Sequence, residues 1–162
     1  MAATNARKME MSDSSPNITE AKRVLDASTF TKFLGLQVEE LGDGYCRTVL
    51  PMRAEFLNQG GITHGGLYGV VADHTAGTAA SAAVPEGMRV LTSEYKINLI
   101  RPSKCDKLIT EGRVIKSGRR LIVGDAKVYA DEINEKSLLA VALFSFAVVG
   151  KPANIERRAE KD

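Results

Sequence analysis

The sequence is short of the residues on which many metal, disulfide and secreted proteins depend. Among 162 residues there are two cysteines and two histidines, scattered along the chain. Cys46 falls on an expected strand and Cys105 in an expected turn, so they form neither a metal-ligand spacing nor a disulfide framework. That usage fits a reducing, intracellular compartment. No apolar run is long enough for a membrane span, and the opening MAATNARKMEMSDSSPN lacks the hydrophobic stretch of a secretory signal. An organellar import peptide is the alternative for this segment, and Glu10 and Asp13 argue against it. One-sided charge is missing as well. Lys and Arg total 22 against 20 acids, a net +2 that gives no reason to expect a nucleic-acid or membrane-surface partner. A Gly-X-Ser-X-Gly elbow is absent too, which removes that class of serine hydrolase.

What is present is a concentration of small residues in residues 58–83, NQGGITHGGLYGVVADHTAGTAASAA. This stretch reads as a Gly-rich loop feeding a helix. Asp73 is its one acid, and at helical spacing its neighbours are Gly66, Gly69, Val70, Ala76, Gly77 and Ala80. Each helical glycine costs about 1 kcal/mol relative to alanine, so something is expected to approach this face closely: a packed backbone, a second subunit or a ligand. A carboxylate among apolar neighbours is penalised unless paired, and such penalties concentrate at functional sites. Asp73 is therefore the first catalytic candidate. The bland alternative is a central helix gripped by a sheet, with an exposed or backbone-bonded Asp. His64, Gly65 and Gly66 shift that balance, because they put a titratable ring and unpaired helix-start amides beside the carboxylate's helix. Such amides suit a developing oxyanion.

At these residues the chain resembles the hotdog-fold acyl-CoA thioesterases of the phenylacetyl-CoA thioesterase (PaaI-like) type. The family pattern of an Asn, a Gly, His-Gly-Gly and an Asp nine residues after the His is met by Asn58, Gly61, His64, Gly65, Gly66 and Asp73. TSEYKINLIRP, residues 92–102, resembles the family's third strand with its closing Arg-Pro pair. The resemblance covers residues 33–149. It implies that Asp73 activates water or attacks the thioester carbonyl, and that the Gly65 amide polarises that carbonyl. It further implies that His64 supports the loop or lies near the thioester, Asn58 places water or loop backbone, and Thr92, rather than Ser93, helps bind the water. His74 lies off the motif and is read as structural. The turn of Lys116, Ser117, Gly118, Arg119 and Arg120 matches the place where the family holds coenzyme A, with the cations facing its phosphates. No metal or redox cofactor is implied. The same fold carries other activities. A non-catalytic acyl-CoA-binding or sensing protein is accordingly the alternative function, and a hydratase or dehydratase a weaker one.

The rest of the chain fits one α+β domain. Residues 1–17 are polar and aperiodic, an expected disordered arm; residues 18–150 form the domain; residues 151–162 form a charged tail. A helix is expected over residues 19–34, capped by Thr19, with Val24, Leu25, Phe30, Phe33 and Leu34 on its apolar side. Gly42, Asp43 and Gly44 turn a hairpin between LQVEEL and YCRTVLPM. After the long helix come strands at about residues 89–100, 108–117, 120–131 and 138–149, the last favoured over a helix by its Val and Phe content. The hotdog name, implied by the resemblance, describes a long central helix wrapped by an antiparallel sheet of five or six strands. A homodimer or homotetramer acting on acyl-CoA in the cytoplasm is the resulting expectation.

Overall fold

The computed structural model describes residues 18, 19, 21, 22 and 28–150. The expected arm and tail, and the Val24–Leu25 part of the first helix, lie outside the described residues. Among the described residues, 18, 19, 21 and 22 are helical, and the elements with described bounds follow in the order α1 (Thr29–Leu34), β1 (Gln37–Gly42), β2 (Tyr45–Pro51), α2 (Gly65–Ala82), β3 (Met88–Leu99), β4 (Lys107–Ser117), β5 (Leu121–Ala130) and β6 (Leu138–Gly150), with a short 3-10 turn at Ala54–Phe56. The expected single helix over residues 19–34 is corrected at one point. Ser28 is extended (φ −69°, ψ 114°) and its Oγ accepts from the Thr31 N–H, so the chain stops and recaps there. Gly35, at φ 78°, ends the new helix, a conformation in which a side chain would be strained.

All strand pairs are antiparallel, in the order β1-β2-β4-β5-β6-β3. The Asp43-Gly44 turn joins β1 to β2 as expected, with Gly44 at φ 70°. From β2 the chain leaves the sheet, runs through α2 across one face, and returns as β3 on the far edge. This is the hotdog arrangement. Alternation along the strands explains why one face is covered: Cys46, Thr48 and Leu50 of β2, Leu108 and Thr110 of β4, and Phe144 and Phe146 of β6 are all buried against the helix. The helix has no single apolar stripe because it is buried nearly all round, and its small side chains are what let it lie so close.

The closest approach is at Gly112 of β4. A Cβ there would lie 2.8 Å from the Ala76 Cα and N and from the Thr75 carbonyl carbon, backbone that cannot step aside. Beside it, the Thr48 and Thr75 hydroxyls bond to each other at 2.7 Å and Thr75 donates to the Val71 carbonyl at 2.6 Å, whereas the buried Thr110 hydroxyl has no partner among the described residues. Gly77 is different. Its nearest foreign atom is a Phe146 ring carbon at 3.8 Å, ordinary contact distance. Gly112→Ala should therefore lower unfolding stability by about 2 kcal/mol or more through overpacking, whereas Gly77→Ala should leave it unchanged or raise it by up to about 1 kcal/mol. Urea denaturation at fixed protein concentration measures both, and a neutral Gly112→Ala would contradict the packing described.

Candidate active site

The loop before α2 is held by its own backbone. Leu57 and Thr63 form an isolated bridge, the His64 N–H donates to the Phe56 carbonyl at 2.9 Å, and the Thr63 N–H donates to the Ser103 carbonyl at 2.8 Å. Asn58 closes the turn inside: its Oδ1 accepts from the Gly60 N–H at 2.8 Å and from the Ile62 N–H at 3.4 Å. The exposed His64 caps the helix, its Nδ1 accepting from the Gly66 N–H at 3.1 Å. Gly65 is the first helical residue, so its N–H has no partner within the helix. Loop and cap thus present one backbone donor at a fixed place.

One side of α2 faces the edge strand β3. A Cβ on Gly65 would meet Leu99 Cδ1 at 3.0 Å, and one on Gly69 would meet the Tyr95 Oη at 3.2 Å. Asp73 continues this i, i+4, i+8 row, and its Oδ1 accepts from the Thr92 Oγ1 at 2.7 Å. Of Gly66, Gly69 and Gly77, the glycines expected to be pressed by a neighbour, Gly69 is pressed by β3 of the same chain, Gly66 meets only the ring of the preceding His64, and Gly77 is at ordinary contact distance from Phe146. Strand alternation alone would put Thr92 and Tyr95 on opposite faces. A bulge between Thr92 and Glu94 inserts one extra residue, so Thr92 pairs with Phe146 and Tyr95 with Phe144, two residues of the same buried face of β6. Tyr95 then stacks on Phe144 with ring centroids 5.1 Å apart. The sequence reading missed Tyr95, because nothing in its local pattern marks the bulge.

Asp73 and Thr92 line a cavity of about 210 Å³ between α2, β3 and α1. Gly77, Val90 and Ala21 give it carbon surface, while Ser28, His74 and Ser81 bring polar groups to it. His74, read from sequence as structural, lines this cavity and packs on Phe30 with centroids 5.5 Å apart. Burial holds its pKa below the usual imidazole value, against the opposing charge of Asp73.

The remaining candidates stand apart from this centre. Gly65 is two turns of helix from Asp73, about 12 Å along the axis. The turn of Lys116, Ser117, Gly118, Arg119 and Arg120 links β4 to β5, with the Ser117 Oγ donating to the Ala83 carbonyl at the far end of α2 (3.4 Å). Ser117, Ile122, Phe146 and Thr92 are register partners across four adjacent strands, which puts the turn about 14 Å from Thr92. Among the described residues no group of three or more His, Cys, Asp or Glu is placed to hold a metal ion, and no helix is long and apolar enough to cross a membrane. Burial also pushes the Cys46 thiol up to about 12 and raises that of Cys105, so neither is a ready nucleophile.

With this geometry in view, the comparisons with known proteins converge. Residues 60–137 match the thioesterase superfamily. A Saccharolobus solfataricus protein that carries an esterase name is 32% identical over 132 residues, covering 82% of this chain and 85% of that protein. The chain belongs to the thioesterase superfamily. Two solved structures share its fold: the Escherichia coli PaaI protein of the phenylacetic acid degradation operon (TM-score 0.73, 19% identity, 83% of this chain and 95% of that one) and a Streptococcus pneumoniae hypothetical thioesterase crystallised with coenzyme A (TM-score 0.64, 24% identity, 73% and 88%). The resemblance stated from the Asn58 to Asp73 motif thus points to the right family.

Were Asp73 the reacting carboxylate, turnover would depend on the hydroxyl that holds it. Thr92→Val keeps the shape and removes the donor, so thioester turnover should fall about tenfold or more, the usual worth of a hydrogen bond to a charged group. Ser93→Ala, in the bulge, should stay within about twofold. Equal losses in the two variants would reject Thr92 as the residue that orients Asp73.

Proposed function

We propose that the protein hydrolyses an acyl-CoA thioester to a free acid and coenzyme A, at sites shared between two copies of the chain. The observation that carries this reading is the arrangement of Asp73: one carboxylate oxygen is held by Thr92 in an open cavity, and the other has no partner among the described residues. That second oxygen can take a proton from water, or bond directly to the thioester carbon. In the first course the water oxygen adds to the carbonyl and the carbon–sulfur bond breaks. The thiolate leaves and is protonated, and the acyl group departs as the acid. In the second, Asp73 adds to the carbonyl and displaces the thiolate, which is protonated as it leaves, and water then opens the resulting anhydride to release the acid and restore the carboxylate.

Either course needs a donor for the carbonyl oxygen, and the Gly65 N–H of the same chain is too distant, about 12 Å away along the helix. A second copy supplies it. β3 is an edge strand of twelve residues whose Tyr95 and Leu99 on the helix-facing side, and Leu91 on the other, are large, apolar and about half exposed, an edge that natural sheets rarely leave uncovered. Antiparallel pairing of two β3 strands about a two-fold axis sets the Leu99 end of one beside the Thr92 end of the other. Gly65 packs at the first end and Asp73 at the second. Each active site then takes its amide from one copy and its carboxylate from the other.

Asp73→Asn should cut turnover by about a hundredfold or more with folding intact. Gly65→Pro, at a helix position whose backbone tolerates proline and where the ring presses only on the end of the Leu99 side chain, should remove the amide and also inactivate. Mixing the two inactive proteins should restore about a quarter of wild-type activity, since half the dimers are mixed and each has one intact site of two. Activity that stays at the level of the separate variants, once mass spectrometry confirms exchange, would reject the shared site. No thiol release by the wild type over a broad acyl-CoA panel would instead favour the binding or sensing alternative.

For the nucleotide end we infer the β4–β5 turn. Lys116, Arg119 and Arg120 are exposed there and make no salt bridge among the described residues. Cations so placed, about 14 Å from Thr92, suit phosphates at the far end of a long ligand, and the coenzyme A bound to the S. pneumoniae protein of the same fold supports the ligand class. Changing all three to Ala should raise KM for coenzyme A esters and flatten its salt dependence, while short thioesters without phosphates are handled as before. An unaltered KM and salt dependence would remove the turn from the site.

A further inference from the structure

We infer that Arg53 is a positioning residue that latches α1 in place as a wall of the Asp73 cavity. In a shared dimer it then serves the site built on its own chain's carboxylate, not the site built on its own chain's amide. This rests on the hydrolytic, shared-site reading above and deepens it. α1 lies between the extended Ser28 and the left-handed Gly35, and of its six residues Thr31 and Leu34 are the buried ones. A helix that short is marginal by itself, so tertiary contacts must hold it. What α1 carries matters to the site. Thr31 and the Ser28 cap line the cavity together with Asp73 and Thr92, and Phe30 packs on the His74 ring at 5.5 Å.

Arg53 joins this helix to a fixed point of the fold. Phe56 is buried in the main core, and the Arg53 guanidinium carbon lies 4.3 Å from its ring centroid. The same carbon lies 5.3 Å from the ring of Phe33, and Nη2 donates to the Phe33 carbonyl at 2.9 Å. That carbonyl is among the last four of α1, which have no partner within the helix. A planar guanidinium can meet aromatic faces and a carbonyl at once. Glu55 competes weakly, since its carboxylate is exposed and 4.0 Å from Nε. Phe56 also accepts the His64 N–H, but through its own carbonyl, and the core holds its ring. The part that Arg53 steadies is therefore the exposed Phe33 and the helix behind it. From Phe33 the contacts run along α1 to Phe30 and His74, one residue from Asp73.

Arg53→Met keeps the stem and removes both the cation and the donor. By NMR, the Lys32 and Gly35 amides that close α1 should exchange about tenfold faster, the scale of one lost hydrogen bond, while β5 amides stay as they were. Burial holds the His74 titration low and the charge of Asp73 opposes it, so uncovering the ring should move it up toward the ordinary imidazole value. Thioester kcat/KM should fall about tenfold, with Arg53→Lys in between. Subunit mixing then assigns the side. With Gly65→Pro, the mixed dimer keeps one site that has a normal amide and an Asp73 behind an intact latch, so about a quarter of wild-type activity should return. With Asp73→Asn, the surviving Asp73 belongs to the chain without the latch, and activity should stay near a twentieth. Unchanged α1 exchange and His74 titration in Arg53→Met would overturn the proposal, as would full kcat/KM despite a loosened α1, or equal recovery with the two variants. A raised KM at unchanged kcat, with α1 still protected, would also overturn it and make Arg53 a direct contact to the ligand. If the wild type hydrolyses no ester, or Gly65→Pro and Asp73→Asn fail to complement each other, the hydrolytic or shared-site reading falls by itself. The latch is then upheld where both NMR signals move and overturned where either stays.

Discussion

The contact between α2 and the sheet sets every distance in the candidate site. At Gly112 the strand and the helix meet backbone to backbone, with no room for one additional carbon. The consequence reaches the helix's other side. Because α2 lies this low on the sheet, its flank comes against the inner face of β3, where Gly65 and Gly69 leave space for Leu99 and the Tyr95 hydroxyl. The glycines lower helix propensity, and the offset is a helix that can touch strands on two sides at once. Asp73 holds its place in this row because the two residues before it in the row have no side chains.

A second constraint is the bulge in β3. One extra residue turns Thr92 and Tyr95 to the same face, so a hydroxyl reaches the carboxylate while an aromatic ring stacks on Phe144 and continues through Phe146, 5.6 Å further on. Polar and apolar anchoring of the edge strand thus occur within four residues. Among the described residues, the strand that carries these side chains has no partner on its outer edge. The same segment is tied to the helix by its side chains and left free along its backbone, an arrangement that suits a strand whose pairing is completed by another chain.

The proposed chemistry follows from the length of a helix. Eight residues separate the helix-start amide from the carboxylate, and a single thioester carbonyl cannot lie within hydrogen-bond reach of both. Each feature is already prepared in the single chain: the amide by the His64 cap and the Asn58 turn, the carboxylate by Thr92. Association would then complete a site from rigid halves rather than build it from flexible ones, which limits the ordering cost at the moment of binding.

The sequence by itself determined the element types and most of their ends. The small-residue run read as a helix, and the apolar runs between turn residues read as strands of a sheet, the last of them assigned to strand over helix by its Val and Phe content. The motif from Asn58 to Asp73 was likewise legible, since its spacing is contiguous along the chain. Ser28 escaped because a helical pattern of apolar residues continues through it, and only the extended backbone and its Oγ cap reveal the break. Tyr95 and His74 escaped for a related reason. A bulge has no local residue signature, and a histidine off the motif becomes a cavity wall only when α1 folds back over α2 and sets Phe30 beside it. Those relations join residues 40 or more positions apart, or reverse a side chain's face by one inserted residue, and such relations are decided by packing in three dimensions.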